Sequence, residues 1–211
     1  MSVSTLIFDL GGVIINLDLP LCINNLKKLG FTDVERYLSN YGQQDFFLAY
    51  ELGKIDTDTF LQHIAALNPH KVEIQDIADA WKSFLQDIPQ ERLSLLWQLR
   101  DKYRLLLLSN TNELHFDVCA RNEFRKSGHE IEEYFEKCYV SNKMGMAKPN
   151  QDVFRYILAD AGVKAEECLF LDDGQKNIQT AADMGFQTFL VDGNNHIEFL
   201  KNLIKEQRQI N

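Results

Sequence analysis

The sequence predicts a three-layer α/β fold, a parallel sheet covered by helices on both faces, with an all-helical insert near its start. Three observations predict it. Short apolar runs are each bounded by Gly, Asn, Asp or Ser, as in parallel strands buried on both faces. In the second half of the chain these runs alternate with segments of helical period, as βα units do. Residues 17–89 break that texture, with several helical periods and no convincing strand.

In chain order, Leu6-Ile7-Phe8 is the first predicted strand. The insert follows, its helices marked by Phe46-Phe47-Tyr50, Phe60-Ile64-Leu67 and Ile74-Ile77-Ala78-Trp81-Leu85. Pro69 and Pro89 punctuate it, and Gly30, Gly42 and Gly53 read as caps or turns. Trp81 and Trp97 sit among aliphatics and read as core, and the Phe46, Phe47 and Tyr50 cluster reads as helix packing. The Leu105–Leu108 run is the second strand, Cys168–Leu171 the next, and Phe189-Leu190-Val191 the last. Val153-Phe154-Ile157-Leu158 and Ile178-Ala181-Ala182 mark helices between them. The expected organisation is a core of residues 1–16 and 90–211 and a helical cap of residues 17–89.

Charge and composition exclude several function classes. The 211 residues carry 22 basic and 31 acidic side chains, a net charge of −9. That balance argues against nucleic-acid partners, which need clustered Lys and Arg, and against an anionic membrane surface. Cys22, Cys119, Cys138 and Cys168 form no CxxC and read as free thiols. His63, His70, His115, His129 and His196 show no metal-ligand spacing and read as surface or packing residues. Met1 leads straight into a strand-like run with no basic stretch, and no apolar run could span a bilayer. A soluble cytoplasmic protein, monomer or homodimer, is expected.

Four polar features are each expected just after a predicted strand, where sites of α/β sheets are built. Asp9, in Phe8-Asp9-Leu10-Gly11-Gly12-Val13, suits a nucleophile or metal ligand on a tight loop, equally a simple turn. Ser109-Asn110-Thr111 offers a hydroxyl and backbone N–H groups to phosphate oxygens, although such a sequence is more often a helix cap. In Lys148-Pro149-Asn150 the proline restricts its neighbour and pre-sets a helix start, which fixes where the lysine leaves the chain. In Asp172-Asp173-Gly174, with Asn177 beyond, adjacent carboxylates repel unless a cation lies between them, and Mg²⁺ with hard oxygen ligands is the natural choice.

The order Asp, Ser, Lys, paired Asp, with a helical insert between the first two, resembles the haloacid dehalogenase-like hydrolases over nearly the whole chain. Within them the chain looks similar to small sugar-phosphate phosphatases of the α-glucose-1-phosphatase type. The resemblance implies a Rossmann-like core and Mg²⁺-dependent hydrolysis of a small phosphorylated metabolite such as a sugar phosphate. It implies that Asp9 attacks phosphorus and forms an aspartyl-phosphate. The metal ligands would be Asp9, the Gly11 carbonyl and Asp173. Ser109, Asn110 and Lys148 would bind the substrate, Ser109 and Lys148 holding the transferring oxygens. Asp172 would stand close behind the metal ligands, with Asn177 supporting it.

One position departs from the pattern. Most phosphatases of this group carry a second Asp two residues after the nucleophile as general acid and base, and here Gly11 stands there. General acid catalysis is typically worth about 10²–10⁴-fold. Three explanations stay open: a cap residue or a water on the metal supplies the proton, the leaving group needs little help, or the enzyme is slow or inactive. The rival activities are 2-haloacid dehalogenation and phosphonate hydrolysis, the latter needing a Schiff-base lysine such as Lys54 or Lys71. The rival of another class is a non-catalytic binding protein.

Overall fold

The computed structural model describes residues 3–32, 34–36, 45–68 and 70–206; Gly42 and Pro69 lie outside them. Its strands are β1 (Thr5–Phe8), β2 (Arg104–Ser109), β3 (Lys137–Val140), β4 (Cys168–Asp172) and β5 (Gln187–Leu190). They form one parallel sheet in the order β3-β2-β1-β4-β5.

Period-two alternation gives the sheet two apolar faces. Leu6, Phe8, Leu105 and Leu107 pack on one side, with the helices α5 (Gln90–Leu99) and α11 (Asn195–Glu206). Ile7, Leu106, Leu108 and Phe170 pack on the other, against α9 (Gln151–Ala161) and α10 (Gln175–Asp183). Shorter helices α6 (Arg121–Arg125), α7 (Ile131–Tyr134) and α8 (Ser141–Met144) link β2 to β3 and follow β3. A π-helical turn, Leu114–Ala120, runs directly into α6.

Two strand expectations need correction. β3 carries an exposed Lys137 and a half-buried Cys138, so it has no continuous apolar run to announce it. The Phe189-Leu190-Val191 run reads as a buried strand; β5 is instead a half-exposed edge strand ending at Leu190, which is 39% exposed. An edge strand has a neighbour on one side only, and its solvent-facing residues are free to be polar.

The insert contains α1 (Leu19–Lys28), α2 (Asp45–Glu51), α3 (Thr57–Ala66) and α4 (Ile74–Lys82). Asp18 caps α1 by accepting from the Leu21 N–H at 2.8 Å, and Asp56 caps α3 by accepting from Thr59 at the same distance. Gly30 and Gly53 follow the ends of α1 and α2. Cys22, Leu26, Phe60, Ile64, Ile77 and Trp81 form a second apolar core, separate from both faces of the sheet. Leu67 and Ile74, expected on apolar helix faces, are exposed, and Leu85 lies beyond α4. The two chain connections to the insert pair with each other: the Asp18 N–H donates to the Phe84 carbonyl at 2.8 Å and the Gln86 N–H to that of Asn16 at 2.9 Å. All four cysteines are free thiols. Among the described residues no helix is long and apolar enough to cross a membrane.

Candidate active site

The order β3-β2-β1-β4-β5 puts β1 at the centre, where connections leave in opposite directions and open a crevice at the strands' carboxyl ends. Asp9 follows β1 directly. Its N–H continues the ladder to the Leu171 carbonyl at 2.9 Å, and its Oδ1 accepts from the Leu10 N–H at 2.7 Å. The Ile14 and Ile15 N–H groups both donate to the Leu10 carbonyl at 2.9 Å, which closes the loop behind it. The Gly11 carbonyl accepts no hydrogen bond among the described residues. Gly12 has φ +72°, and a Cβ there would lie 2.5 Å from Asp173 Oδ2. Gly12→Ala is therefore expected to displace the Asp173 carboxylate and to strain the loop by about 1–2 kcal/mol. Calorimetric titration should show weaker Mg²⁺ binding in that variant.

Lys148 is the hub of the site. Its side chain is 1% exposed, and its Nζ reaches Asp9 Oδ1 at 2.9 Å and Asp172 Oδ2 at 2.6 Å. The third proton goes to the Leu108 carbonyl at 2.9 Å, so all three ammonium donors are used. Asn110 holds the lysine backbone from both sides, its Nδ2 donating to the Lys148 carbonyl and its Oδ1 accepting from the Lys148 N–H, each at 2.9 Å. This amide clamp positions Lys148. Pro149, expected to open the helix, precedes it instead: Asn150 caps α9 by accepting from the Asp152 N–H at 2.9 Å.

Asp172 is fully enclosed. Its Oδ1 accepts from the Gly174 N–H at 2.7 Å and from Asn177 Nδ2 at 2.8 Å, while its other oxygen holds Lys148. Asp9, Asp172 and Asp173 each offer a carboxylate oxygen within 4.8 Å of the others. Burial pushes the Asp9 carboxyl well up; Lys148 opposes this, and the charges of Asp172 and Asp173 add to it. Burial and Asp172 likewise push Asp173 up to about 6. Burial alone would pull Lys148 down, but Asp172 and Asp9 outweigh it and hold its pKa up. Three carboxylates thus share one cationic side chain, an excess of negative charge on hard oxygen donors. That donor set, with the free Gly11 carbonyl beside it, fits Mg²⁺.

A cavity of about 100 Å³ is lined by Asp9, Ser109, Lys148 and Asp173 together. Ser109 ends β2 and is 2% exposed. The insert supplies part of the wall, including Phe84 and Leu85. Every predicted site residue except Asp172 lines this cavity, and Asp172 lies directly behind it. Phe46, Phe47 and Tyr50 do not line it and pack in the insert's core. Lys54 is exposed, the Lys71 side chain is 90% exposed, and neither lines the cavity.

Two cavity residues carry no signal that spacing could reveal. His115 stacks on Trp81 with centroids 4.7 Å apart, and its ring nitrogens meet the Trp81 carbonyl at 3.0 Å and Asn112 Nδ2 at 3.2 Å. Those partners fix the neutral tautomer, with Nε2–H donating to the carbonyl, and burial pulls the imidazole down to about 4. The other residue is Glu51, 9% exposed at the end of α2. Its one sequence cue is an acid at a helix C-terminus, where the helix dipole disfavours negative charge.

Burial pushes Glu51 up to about 7, with Lys148 opposing, against an ordinary 4.5. Between those values the folded chain holds a proton that the unfolded chain has released, so stability falls as pH rises through that window. Glu51→Gln removes this penalty. It should match the parent at pH 4 and gain up to about 3 kcal/mol at pH 8, measured by urea denaturation at both pH values.

Comparisons with known proteins identify the family. A family model described as haloacid dehalogenase-like hydrolase matches residues 3–185. The D-ribitol-5-phosphate phosphatase of Bacteroides thetaiotaomicron is 32% identical over 187 residues, 89% of this chain and 91% of that protein. A wild-type HAD family enzyme from Bacteroides thetaiotaomicron, solved with magnesium and inorganic phosphate, superposes with a TM-score of 0.85 at 39% identity, covering 92% of this chain and 96% of that one. A HAD-like family hydrolase from Porphyromonas gingivalis gives a TM-score of 0.87 at 36% identity, covering 97% and 99%.

Proposed function

This chain belongs to the haloacid dehalogenase-like hydrolase family, and from that membership we propose that it is a Mg²⁺-dependent phosphatase acting on a small sugar or polyol phosphate through an aspartyl-phosphate on Asp9. The observation that carries this reading is the meeting of Asp9, Asp173, Lys148 and Ser109, distant in sequence, around one cavity. Asp9 Oδ1 is held by Lys148 and Leu10, which leaves Oδ2 to attack phosphorus in line. Ser109 donates to the transferring oxygens, while the Lys148 ammonium, its three protons on Asp9, Asp172 and Leu108, offsets their charge from beside Asp9, and Asn110 and Asp172 keep Lys148 in place. Asp9, the Gly11 carbonyl and Asp173 hold Mg²⁺, which when bound supplies charge stabilisation to the phosphoryl oxygens.

Residues 17–89 act as the cap. Their Phe84 and Leu85 face the cavity, and closure of the cap excludes water and selects the substrate. The protein works in the cytoplasm as a monomer or homodimer, without nucleic-acid or membrane partners. Dehalogenation leaves Asp173 without a task, and among the described residues phosphonate hydrolysis finds no lysine from the insert at the cavity. A phosphate-release screen over sugar and polyol phosphates, ribitol 5-phosphate among them, tests the proposal. Release that needs Mg²⁺ and stops with EDTA is expected; a flat profile at background overturns it.

A further inference from the structure

Cleavage of a phosphomonoester leaves an alkoxide that needs a proton, and Gly11 has no side chain to give one. A side chain there would also press on the insert, since a Cβ on Gly11 would sit 3.0 Å from Leu17 Cδ1. We infer that Glu51, carried into the cavity by the helical insert, donates the proton to the leaving oxygen and then takes one from the attacking water; this assignment rests on the phosphatase reading above.

The geometry singles Glu51 out. It lines the same cavity as Asp9, Ser109 and Lys148 while being nine-tenths buried. Among the described residues no hydrogen bond or ion pair engages its carboxyl group. A carboxyl group left without a protein partner on the wall of a cavity is available to a ligand that enters it. Its backbone, by contrast, is pinned. The Glu51 carbonyl accepts from Ser141 Oγ at 2.7 Å. Gly53, at φ +64°, packs so closely on the Asn142 carbonyl that any Cβ there would collide with it.

Other acids around the cavity are committed elsewhere. Asp172 has both oxygens bonded, Asp9 is the nucleophile and Asp173 a metal ligand. His115 has both ring nitrogens bonded and holds no proton to spare at neutral pH. The other titratable groups on elements packed against α2 are Asp58 and His63 on α3, Asp76, Asp79 and Lys82 on α4, Glu113 and Asp117 at the turn whose Leu114 N–H meets Tyr50, and Lys143 on α8, which pairs with Asp117 at 3.0 Å, with Lys54 just after α2. Of these and the cavity groups, Lys148 alone bears on Glu51, and burial outweighs it, so the carboxyl titrates near 7. A group that titrates near the working pH is poised both to give and to take a proton.

The steps balance. The Asp9 oxygen–phosphorus bond forms as the ester phosphorus–oxygen bond breaks, and the Glu51 proton moves to the leaving oxygen as an alcohol forms. Water then attacks the aspartyl-phosphate, the Asp9 oxygen–phosphorus bond breaks, and the water's proton passes to the Glu51 carboxylate. Phosphate leaves with Asp9 and protonated Glu51 restored.

The test compares the parent and Glu51→Gln on ribitol 5-phosphate, an alkoxide leaving group, and on p-nitrophenyl phosphate, which departs unaided. With the first, kcat/KM should fall by about 10²–10⁴-fold. With the second, the variant should give a one-equivalent burst of p-nitrophenol and then turn over slowly, because only the water step needs the base. The parent's kcat/KM on the alkyl phosphate should decline above about pH 7, Glu51→Gln should lose that limb, and Glu51→Asp should keep it. Equal losses on both substrates without a burst, a retained limb, or a loss under about threefold in Glu51→Gln would overturn the assignment alone. A parent protein that releases no phosphate from either substrate overturns the phosphatase reading and this assignment with it.

Discussion

Asp9→Asn is expected to stop phosphate release, lowering kcat by at least about 10³-fold, while leaving the fold at least as stable at pH 8 in the absence of Mg²⁺. The loss follows from chemistry: an amide oxygen is a poor nucleophile and cannot form a phosphoenzyme that water clears. The stability follows from the surroundings. Asp9 lies beside two other carboxylates and is nearly buried, and burial raises its pKa well above the ordinary carboxylate value. A raised folded-state pKa means that stability is lost as pH rises above the unfolded value, and a neutral side chain escapes that loss. An Asn Oδ1 can still accept from Lys148 and Leu10, the two bonds that Asp9 Oδ1 makes at 2.9 and 2.7 Å. Mg²⁺ should reverse the order, because it stabilises the chain that binds it more tightly. Phosphate release and thermal melting, each with Mg²⁺ and with EDTA, check all of this. A variant that keeps a tenth of the parent activity would remove Asp9 from its proposed role.

Much of the site is legible in the sequence for a specific reason. In a parallel sheet all strands point one way, so a polar residue that ends an apolar run sits at the same edge as every other such residue. Asp9 after Phe8, Ser109 after Leu108 and the Asp172–Asp173 pair after Leu171 are brought together by that rule alone. Lys148, expected at a strand end, instead lies beyond β3 and α8, and its arrival depends on the Asn110 clamp, a pairing across 38 residues that no local pattern encodes. Glu51 is harder still. Its burial comes from α2 meeting α8 through Ser141 and Gly53, a tertiary contact between the insert and the core. His115 gains its place by stacking on Trp81, again across that contact. At the sheet edges the apolar pattern fades, which hid β3 and made β5 look more buried than it is. Local periodicity thus reports the centre of the sheet, and what the insert adds appears only once it is docked.

Lys148→Met is expected to cost both stability and activity, and the pH dependence of the first separates it from ordinary core damage. Methionine is similar in length and apolar, so the packing around a side chain that is 1% exposed is largely kept. The charge is not. Asp9 and Asp172 lose their shared cation, and the Leu108 carbonyl loses its donor. Removing one member of a buried ionic cluster typically costs about 3–5 kcal/mol, because the remaining charge stays buried and unpaired. That penalty exists only while the carboxylates are ionised. With Lys148 gone the Asp9 carboxyl rises further, so the folded chain holds its proton to higher pH than the unfolded chain does. Stability must then fall as pH rises: urea denaturation should show a small deficit near pH 5 and the full deficit at pH 8. Mg²⁺ should recover part of it, since a second cation can face the same carboxylates. Phosphate release should stay at least about 10²-fold below the parent even in saturating Mg²⁺, because the fixed positive charge beside the transferring oxygens is gone and only Ser109 is left to hold them. A deficit that is the same at both pH values would mean that Lys148 matters for its shape rather than its charge. Lys148→Arg should not rescue, since its rigid guanidinium fork is too broad for an enclosure that seats one ammonium against three oxygens.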